Sequence, residues 1–143
     1  MEIFIRRILK EDAANITALS HQLGYSLSPQ QTLQNIDAVM KNKDHDAFVA
    51  VNNNKVIGWI GVAQSIQIEI PSYCEINGLV VDNKYRKHGV GKMLIEKAKQ
   101  WGKEKGNNQL GVHCNVKRTE AHLFYQHLGF QEIKQQKVFE IEI

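Results

Sequence analysis

The sequence predicts a single mixed α/β domain spanning residues 1–143, with one central sheet flanked by helices. Amphipathic segments with helical spacing alternate with short strand-like apolar runs, which is the pattern of one sheet covered by helices. Glycine, asparagine and proline punctuate the boundaries between them. The chain has 143 residues, 43% of them hydrophobic and 23% charged, with only two prolines. That composition excludes a disordered or collagen-like chain. A domain of this size buries about two-thirds of its unfolded surface, so it needs neither disulfide nor metal to fold.

The elements follow in order. Residues 2–7 alternate as a first strand. Glu11 or Asp12 can cap a helix whose apolar positions are Ala13, Ile16, Leu19 and Leu23, stopped by Gly24. Ser28-Pro29 supplies an N-cap and a first-turn proline for a second helix through Leu33, Ile36 and Met40. Residues 47–51 and 56–63 read as a hairpin around Asn52-Asn53-Asn54. Residues 73–81 form a further strand, with a bulge expected at Gly78. Val90, Met93, Leu94, Ala98 and Trp101 make the apolar stripe of an amphipathic helix closed by Gly106. Residues 110–114 are a strand, and Thr119 can cap a short helix through Ala121, Phe124 and Leu128, ended by Gly129. Residues 130–133 and 138–143 are expected to close the chain as strands.

Two cysteines, Cys74 and Cys114, are too few for a disulfide scaffold, and no cluster has zinc-ligand spacing, so no metal is expected. The N-terminus lacks the continuous apolar core of a signal peptide, and no apolar run approaches membrane-spanning length. A reducing cytoplasm and no membrane partner are the expectation. Net charge is +3, but residues 84–105 alone carry +6. A basic patch on an otherwise slightly acidic body fits an anionic ligand or simply a solvated helix face.

Chemistry concentrates where the strand Asn77-Gly78-Leu79-Val80-Val81 runs through the turn 82–87 into Gly89-Val90-Gly91 at a helix start. The first amides of a helix have no internal partner, and its dipole places partial positive charge there. Glycines let backbone close on a phosphate, and Arg86, Lys87 and Lys92 add formal charge at the same point. A phosphate loop of the nucleotide-hydrolase type fails, because Arg86 stands where its first glycine belongs and Met93 has no hydroxyl. A dinucleotide fingerprint fails at Leu94, where it needs glycine.

With its flanks, this segment resembles motif A of the GNAT acetyltransferases: Arg86-Lys87-His88-Gly89-Val90-Gly91, preceded by Gly78-Leu79-Val80-Val81-Asp82 and followed by Lys92-Met93-Leu94. Asn115 and the run from Ala121 through Phe124-Tyr125 to Gly129-Phe130 resemble motif B. The whole chain fits the family's element order. The resemblance implies a sheet whose fourth and fifth strands splay apart, acetyl-CoA as donor, and direct transfer to an amine in a ternary complex. It implies that the backbone of Leu79, Val80 and Val81 binds pantetheine and thioester carbonyl. The segment Arg86, Lys87, His88, Gly89, Val90, Gly91 and Lys92 then holds the pyrophosphate, and Asn115 contacts the cofactor arm. Family members are often dimers, so the resemblance allows a homodimer, while the sequence itself leaves the oligomeric state open.

The chemistry asks for removal of a proton from an alkylammonium of pKa about 10.4, a donor for the developing oxyanion, and protonation of the leaving thiolate. Tyr125 stands where many family members carry the phenol that protonates the thiolate; otherwise it is a packed aromatic beside Phe124. Glu75 lies at the spacing from Arg86 where some members place a base. It is either that base or a surface residue at the start of a strand, in which case water deprotonates the amine. His113, His122 and His127 have no ligand spacing and read as structural or solvated. Tyr25, Trp59 and Tyr73 are candidates to line the acceptor site or to fill core. The acceptor is a small polyamine or aminoglycoside-like cation, or a protein amine. The rivals are a CoA-binding module without turnover and, last, nucleic-acid binding by the basic helix, which lacks interleaved aromatics.

Overall fold

The structure, a computed structural model, describes residues 2–143. Contacts divide it into two compact units, residues 1–113 and 114–143.

The first unit holds a five-stranded sheet in the order β1-β2-β3-β4-β5, formed by β1 (Ile3–Arg7), β2 (His45–Asn52), β3 (Lys55–Ser65), β4 (Tyr73–Val81) and β5 (Leu110–Val112). All neighbours are antiparallel except β4 and β5, which run parallel. The β2–β3 hairpin closes with Asn53 and Asn54 both at positive φ, +51° and +62°, matching the twist that two-residue hairpins require. Asparagine tolerates that region better than other non-glycine residues.

Helices α1 (Ala13–His21) and α2 (Pro29–Lys41) cover one face of the sheet, and α3 (Val90–Glu104) packs on β1 through β5. Ala13, Ile16, Leu19 and Ile36 join Val49, Val51, Val56 and Val80 in the core under α1 and α2. Val90, Leu94, Ile95, Ala98 and Trp101 are buried along α3. The approach of α3 to β4 is close enough that a Cβ on Gly102 would lie 2.9 Å from the Cβ of Cys74. Ser28 caps α2 as expected, and the cap is reciprocal: its Oγ accepts from the Gln31 N–H, and Gln31 Oε1 accepts from the Ser28 N–H. Leu33, expected on the apolar face, is instead partly exposed.

Asp12 occupies the N-cap position of α1, but its side chain makes no capping hydrogen bond to that helix. A 3-10 turn over Lys10–Asp12 precedes the helix, and Asp12 has helical dihedrals. Its carboxylate accepts the Leu9 N–H and both arms of the Arg6 guanidinium, at 2.8 and 2.9 Å. Burial works to raise the Asp12 carboxyl, but Arg6 and the Leu9 N–H outweigh it and hold the group below the ordinary carboxylate range.

The second unit contains α4 (Thr119–His127) and no strand among the described residues. Thr119 is the first helical residue rather than the cap, which is Arg118. The strands expected at 130–133 and 138–143 do not form. Strand structure needs a neighbouring ladder, and this unit supplies none. Phe139, Ile141 and Ile143 keep their alternation with Glu140 and Glu142, yet stand 86% to 119% exposed.

Candidate active site

The strand β4 changes character at a bulge. Gly61 pairs with Gly78, but Val62 pairs with Ile76, so Asn77 is the extra residue. The one-residue shift moves side chains between faces. Cys74 and Ile76 are buried, Cys74 against Gly102 of α3, while Val80 joins the core under α1 and α2. Tyr73, Glu75, Asn77 and Gly78 thereby share the face that carries Trp59. A Cβ on Gly78 would lie 2.5 Å from the Trp59 ring, and one on Gly61 would collide with the Asn77 amide. Trp59 is held from the other side by its indole N–H, which donates to Ser20 Oγ of α1 at 3.2 Å. Tyr73 lies over Gly111 of β5, its ring 3.2 Å from where a Cβ would stand. Of the three candidate aromatics, Trp59 and Tyr73 therefore share the sheet face of Glu75, whereas Tyr25 sits in the exposed loop after α1.

Glu75 is half-buried, and His113, just beyond β5, approaches its Oε1 with Nδ1 at 2.7 Å. The sequence alone gave His113 no role. The signal lay in strand register: Glu75 pairs with Gly111, and two residues on is the next position on that face. Burial pushes the thiol of neighbouring Cys74 up to about 11, with the Glu75 carboxylate adding to it, so Cys74 is a packed thiol.

Beyond the bulge the strand has one partner only. β5 pairs with Cys74, Glu75 and Ile76 and stops, so residues 78–81 pair with β3 alone. The splay between the fourth and fifth strands is this gap. It leaves one edge of the Leu79-Val80-Val81 backbone open, while the Val80 side chain stays in the core. The chain then turns through Asp82, which is buried and whose carboxylate accepts from the Lys84 N–H at 3.1 Å. Gln22, just after α1, accepts from the Asn83 N–H at 3.0 Å, and Asn52 of β2 donates to the Tyr85 hydroxyl at 3.2 Å. The base of the loop is anchored and its tip, Arg86 to Gly89, is exposed.

Lys87 and Gly89 both take left-handed conformations, φ +68° and +79°. Gly89 is the N-cap of α3, and no side chain caps the helix. The first intrahelical bond runs from the Met93 N–H to the Gly89 carbonyl, leaving the amides of Val90, Gly91 and Lys92 without helical partners. The space a Cβ on Gly89 would fill is open. Among the described residues no carboxylate pairs with Arg86, Lys87 or Lys92. An uncapped helix start, a glycine with open space beside it and unpaired cations together fit a diphosphate. His88 sits in the same loop, edge-on to Tyr85.

Asn115 and Tyr125 belong to the second unit. The Asn115 side chain accepts from the Lys117 N–H at 2.9 Å, and its carbonyl accepts from the Arg118 N–H. It thus builds the turn into α4, and His122 Nε2 contacts the same carbonyl. Tyr125 is fixed by the end of that helix. Gly129, at φ +95°, donates to the Gln126 carbonyl, and Phe130 donates to the Tyr125 carbonyl. This double closure normally brings an apolar contact, and here the contact is the Phe130 ring edge-on to Tyr125, with centroids 5.4 Å apart. Phe124 packs on Tyr125 at 5.2 Å. Burial pushes the Tyr125 phenol up to about 12, helped by Cys114 and opposed by Arg118. The phenol is therefore protonated throughout the neutral range, and a weaker acid than an exposed tyrosine. The described residues hold no group of three metal-ligating side chains.

The profile of the Acetyltransferase (GNAT) family matches residues 10–130. An uncharacterized N-acetyltransferase of Bacillus subtilis, YhdJ, is 25% identical over 122 residues, covering 85% of this chain and 86% of that protein. The aminoglycoside N(6')-acetyltransferase type 1 of Salmonella typhimurium is 29% identical over 96 residues, covering 62% of this chain and 65% of that one. Among solved structures, the aminoglycoside N-acetyltransferase AAC(6')-Iy in complex with CoA aligns with a TM-score of 0.89 at 20% identity, covering 99% of this chain and 96% of that chain. The aminoglycoside 6'-N-acetyltransferase AAC(6')-Ih of Acinetobacter baumannii aligns with a TM-score of 0.88 at 17% identity, covering 99% of both chains. A family match over most of the chain, on a fold with the splayed strands and a helix start suited to a diphosphate, makes this protein a member of the GNAT family, an acetyl-CoA-dependent N-acetyltransferase.

Proposed function

We propose that this chain, residues 1–143 acting as one N-acetyltransferase domain, transfers acetyl directly to the primary amine of a small polycation within a ternary complex. The observation that carries this reading is a pair of open backbone stretches, the unpaired edge of Leu79 to Val81 and the uncapped start of α3, joined by an anchored turn. The amides from Arg86 to Lys92 hold the pyrophosphate, with the Arg86, Lys87 and Lys92 charges around it, His88 beside them and Asn115 on the cofactor arm. Bound acetyl-CoA supplies an activated thioester. The N–H groups on the open edge of Leu79, Val80 and Val81 bind pantetheine and stabilise the carbonyl oxygen as charge develops there.

Glu75 takes the proton of the incoming ammonium, and Tyr125 gives its own to the departing sulfur. Because the phenol is a weak acid, that proton moves only as negative charge accumulates on sulfur. A polyamine or aminoglycoside-like acceptor is supported by the sheet face that carries Trp59, Tyr73 and Asn77 together with Glu75, since aromatic faces and a carboxylate attract ammonium groups. The names of the aminoglycoside-modifying relatives point the same way. Free CoA thiol release, followed across a panel of polyamines, aminoglycosides and peptide amines with acetyl-CoA alone as control, tests it. Turnover is expected with the small cations; turnover with peptide amines alone overturns this acceptor class. Within the same experiment, Glu75→Gln should lower the neutral-pH rate while acetyl-CoA affinity holds, and an unchanged pH profile would move deprotonation to water.

The proposed compartment is the reducing cytoplasm, a choice supported by two free cysteines. No helix of the described residues is long and apolar enough to cross a membrane. The proposed macromolecular partner is a second copy of this chain, with neither nucleic acid nor membrane involved. The exposed row Phe139, Ile141 and Ile143 supports self-association, because such a row is costly in water. Light scattering that gives a monomer mass at micromolar concentration overturns the homodimer.

A further inference from the structure

Glu75 has one side-chain partner among the described residues, and it is His113. The register explains why. Its neighbours across the sheet are Ala63 on β3 and Gly111 on β5, neither of which has a polar side chain. Gly111 keeps that part of the face low, with the Tyr73 ring against it, and His113 is the next residue of the same face. The imidazole approaches Oε1 at 2.7 Å, with its side chain 66% exposed against 26% for Glu75. That is the length of a charge-assisted hydrogen bond.

We propose that His113 is a positioning residue for the amine acetylation: its Nδ1–H holds Glu75 Oε1 so that Oε2 is presented to the ammonium group of the acceptor. This rests on the reading of Glu75 as the base. A glutamate swings about three side-chain torsions, and a base that wanders from its near-attack position loses rate steeply, by as much as about a hundredfold for a displacement of one ångström. Only Oε1 is engaged by His113. In the step served, the ammonium N–H bond breaks with its electron pair left on nitrogen, an O–H bond forms at Oε2, and the nitrogen lone pair is free to attack. The proton then leaves Glu75 to water. His113 gains and loses no proton; its work is to remove one oxygen from the search.

The test compares His113→Asn with His113→Leu, each alone and in the Glu75→Gln background. Asparagine offers an amide N–H in place of the Nδ1–H, and leucine has similar bulk with no donor. His113→Leu is expected to lower kcat about tenfold to a hundredfold, with KM for acetyl-CoA and melting temperature little changed, and His113→Asn is expected to recover most of the loss. In the Glu75→Gln background the leucine change should cost nothing further, because the oxygen being positioned is no longer a base. If Glu75→Gln runs at the wild-type rate, the base reading fails and this inference with it. If Glu75→Gln is slow while His113→Leu is normal, the base stands and the positioning role is overturned. Equal losses in the asparagine and leucine variants, or a loss that adds to that of Glu75→Gln, would also overturn it by showing that His113 acts through something other than its donor to Glu75.

Discussion

The two halves of β4 face opposite demands. From Cys74 to Ile76 the strand is paired on both sides, and what it presents is a side chain, Glu75, held by His113. From Gly78 to Val81 it is paired on one side, and what it offers is backbone, followed through an anchored turn by the uncapped start of α3. A fully paired strand has no amides to spare but is stiff enough to aim a carboxylate. A half-paired strand aims nothing but leaves donors for a ligand to claim. The Asn77 bulge lets one strand do both, because it turns side chains to a new face at the place where β5 ends.

Four substitutions probe that division. The largest effect is expected on the side-chain chemistry. Tyr125→Phe keeps the ring packed between Phe124 and Phe130 but removes the proton, so kcat should fall about 10²–10⁴-fold with acetyl-CoA affinity and melting temperature nearly unchanged. A wild-type rate from this variant would leave Tyr125 as core. The backbone half is challenged by Gly89→Val, which places a branched side chain at φ +79° and fills the open space beside the helix start. Strain of about 1–3 kcal/mol and the lost approach should weaken CoA binding at least about tenfold by calorimetry, in a protein that still folds. Undiminished affinity would detach the diphosphate from this loop.

The junction between the halves answers to Gly78→Ala. The new Cβ would sit 2.5 Å from the Trp59 ring, so chemical denaturation should show a loss of about 1–3 kcal/mol as the ring shifts. Stability equal to wild type would mean that the Trp59 ring yields freely. The smallest effect is expected remote from β4. Arg6 and Asp12 form a pair whose carboxylate is buried, and Asp12→Asn should cost about 1–2 kcal/mol at neutral pH. The folded-state Asp12 pKa is lowered, so its contribution is present above the unfolded value near ~3.9 and fades as pH falls through the folded value. The asparagine variant should therefore lose part of the acid sensitivity of stability, and parallel pH–stability curves would refute that.

Legibility in the sequence followed the range of the interactions. Ser28 with Gln31, the turn at Asn53-Asn54, the bulge beside Gly78, and the stops at Gly24, Gly106 and Gly129 are set by residues a few positions apart, and each was readable. Tyr125 and Phe130 belong to this class too, since helix closure by Gly129 brings them together. The Glu75–His113 contact depends on parallel strands joined through α3, and no local pattern announces such a register. Asp12 looked like a cap because acidic residues favour that place, but the Arg6 guanidinium across the turn competes for it and wins. Residues 138–143 carry a strand's alternation without a ladder to join, and alternation alone does not make a strand.

The open first turn of α3 also joins ligand to fold. Those amides have no helical partner, so the helix that buries Val90, Leu94 and Ile95 begins at its least restrained turn. Whatever occupies that turn is bound by the native chain and not by the unfolded one, which makes the folding equilibrium a function of its concentration. Occupancy at a hundred times the dissociation constant adds about 2.7 kcal/mol to the unfolding free energy. With acetyl-CoA as the proposed occupant, raising its concentration would raise the melting temperature, so the donor would act on the fold by mass action as well as on the reaction.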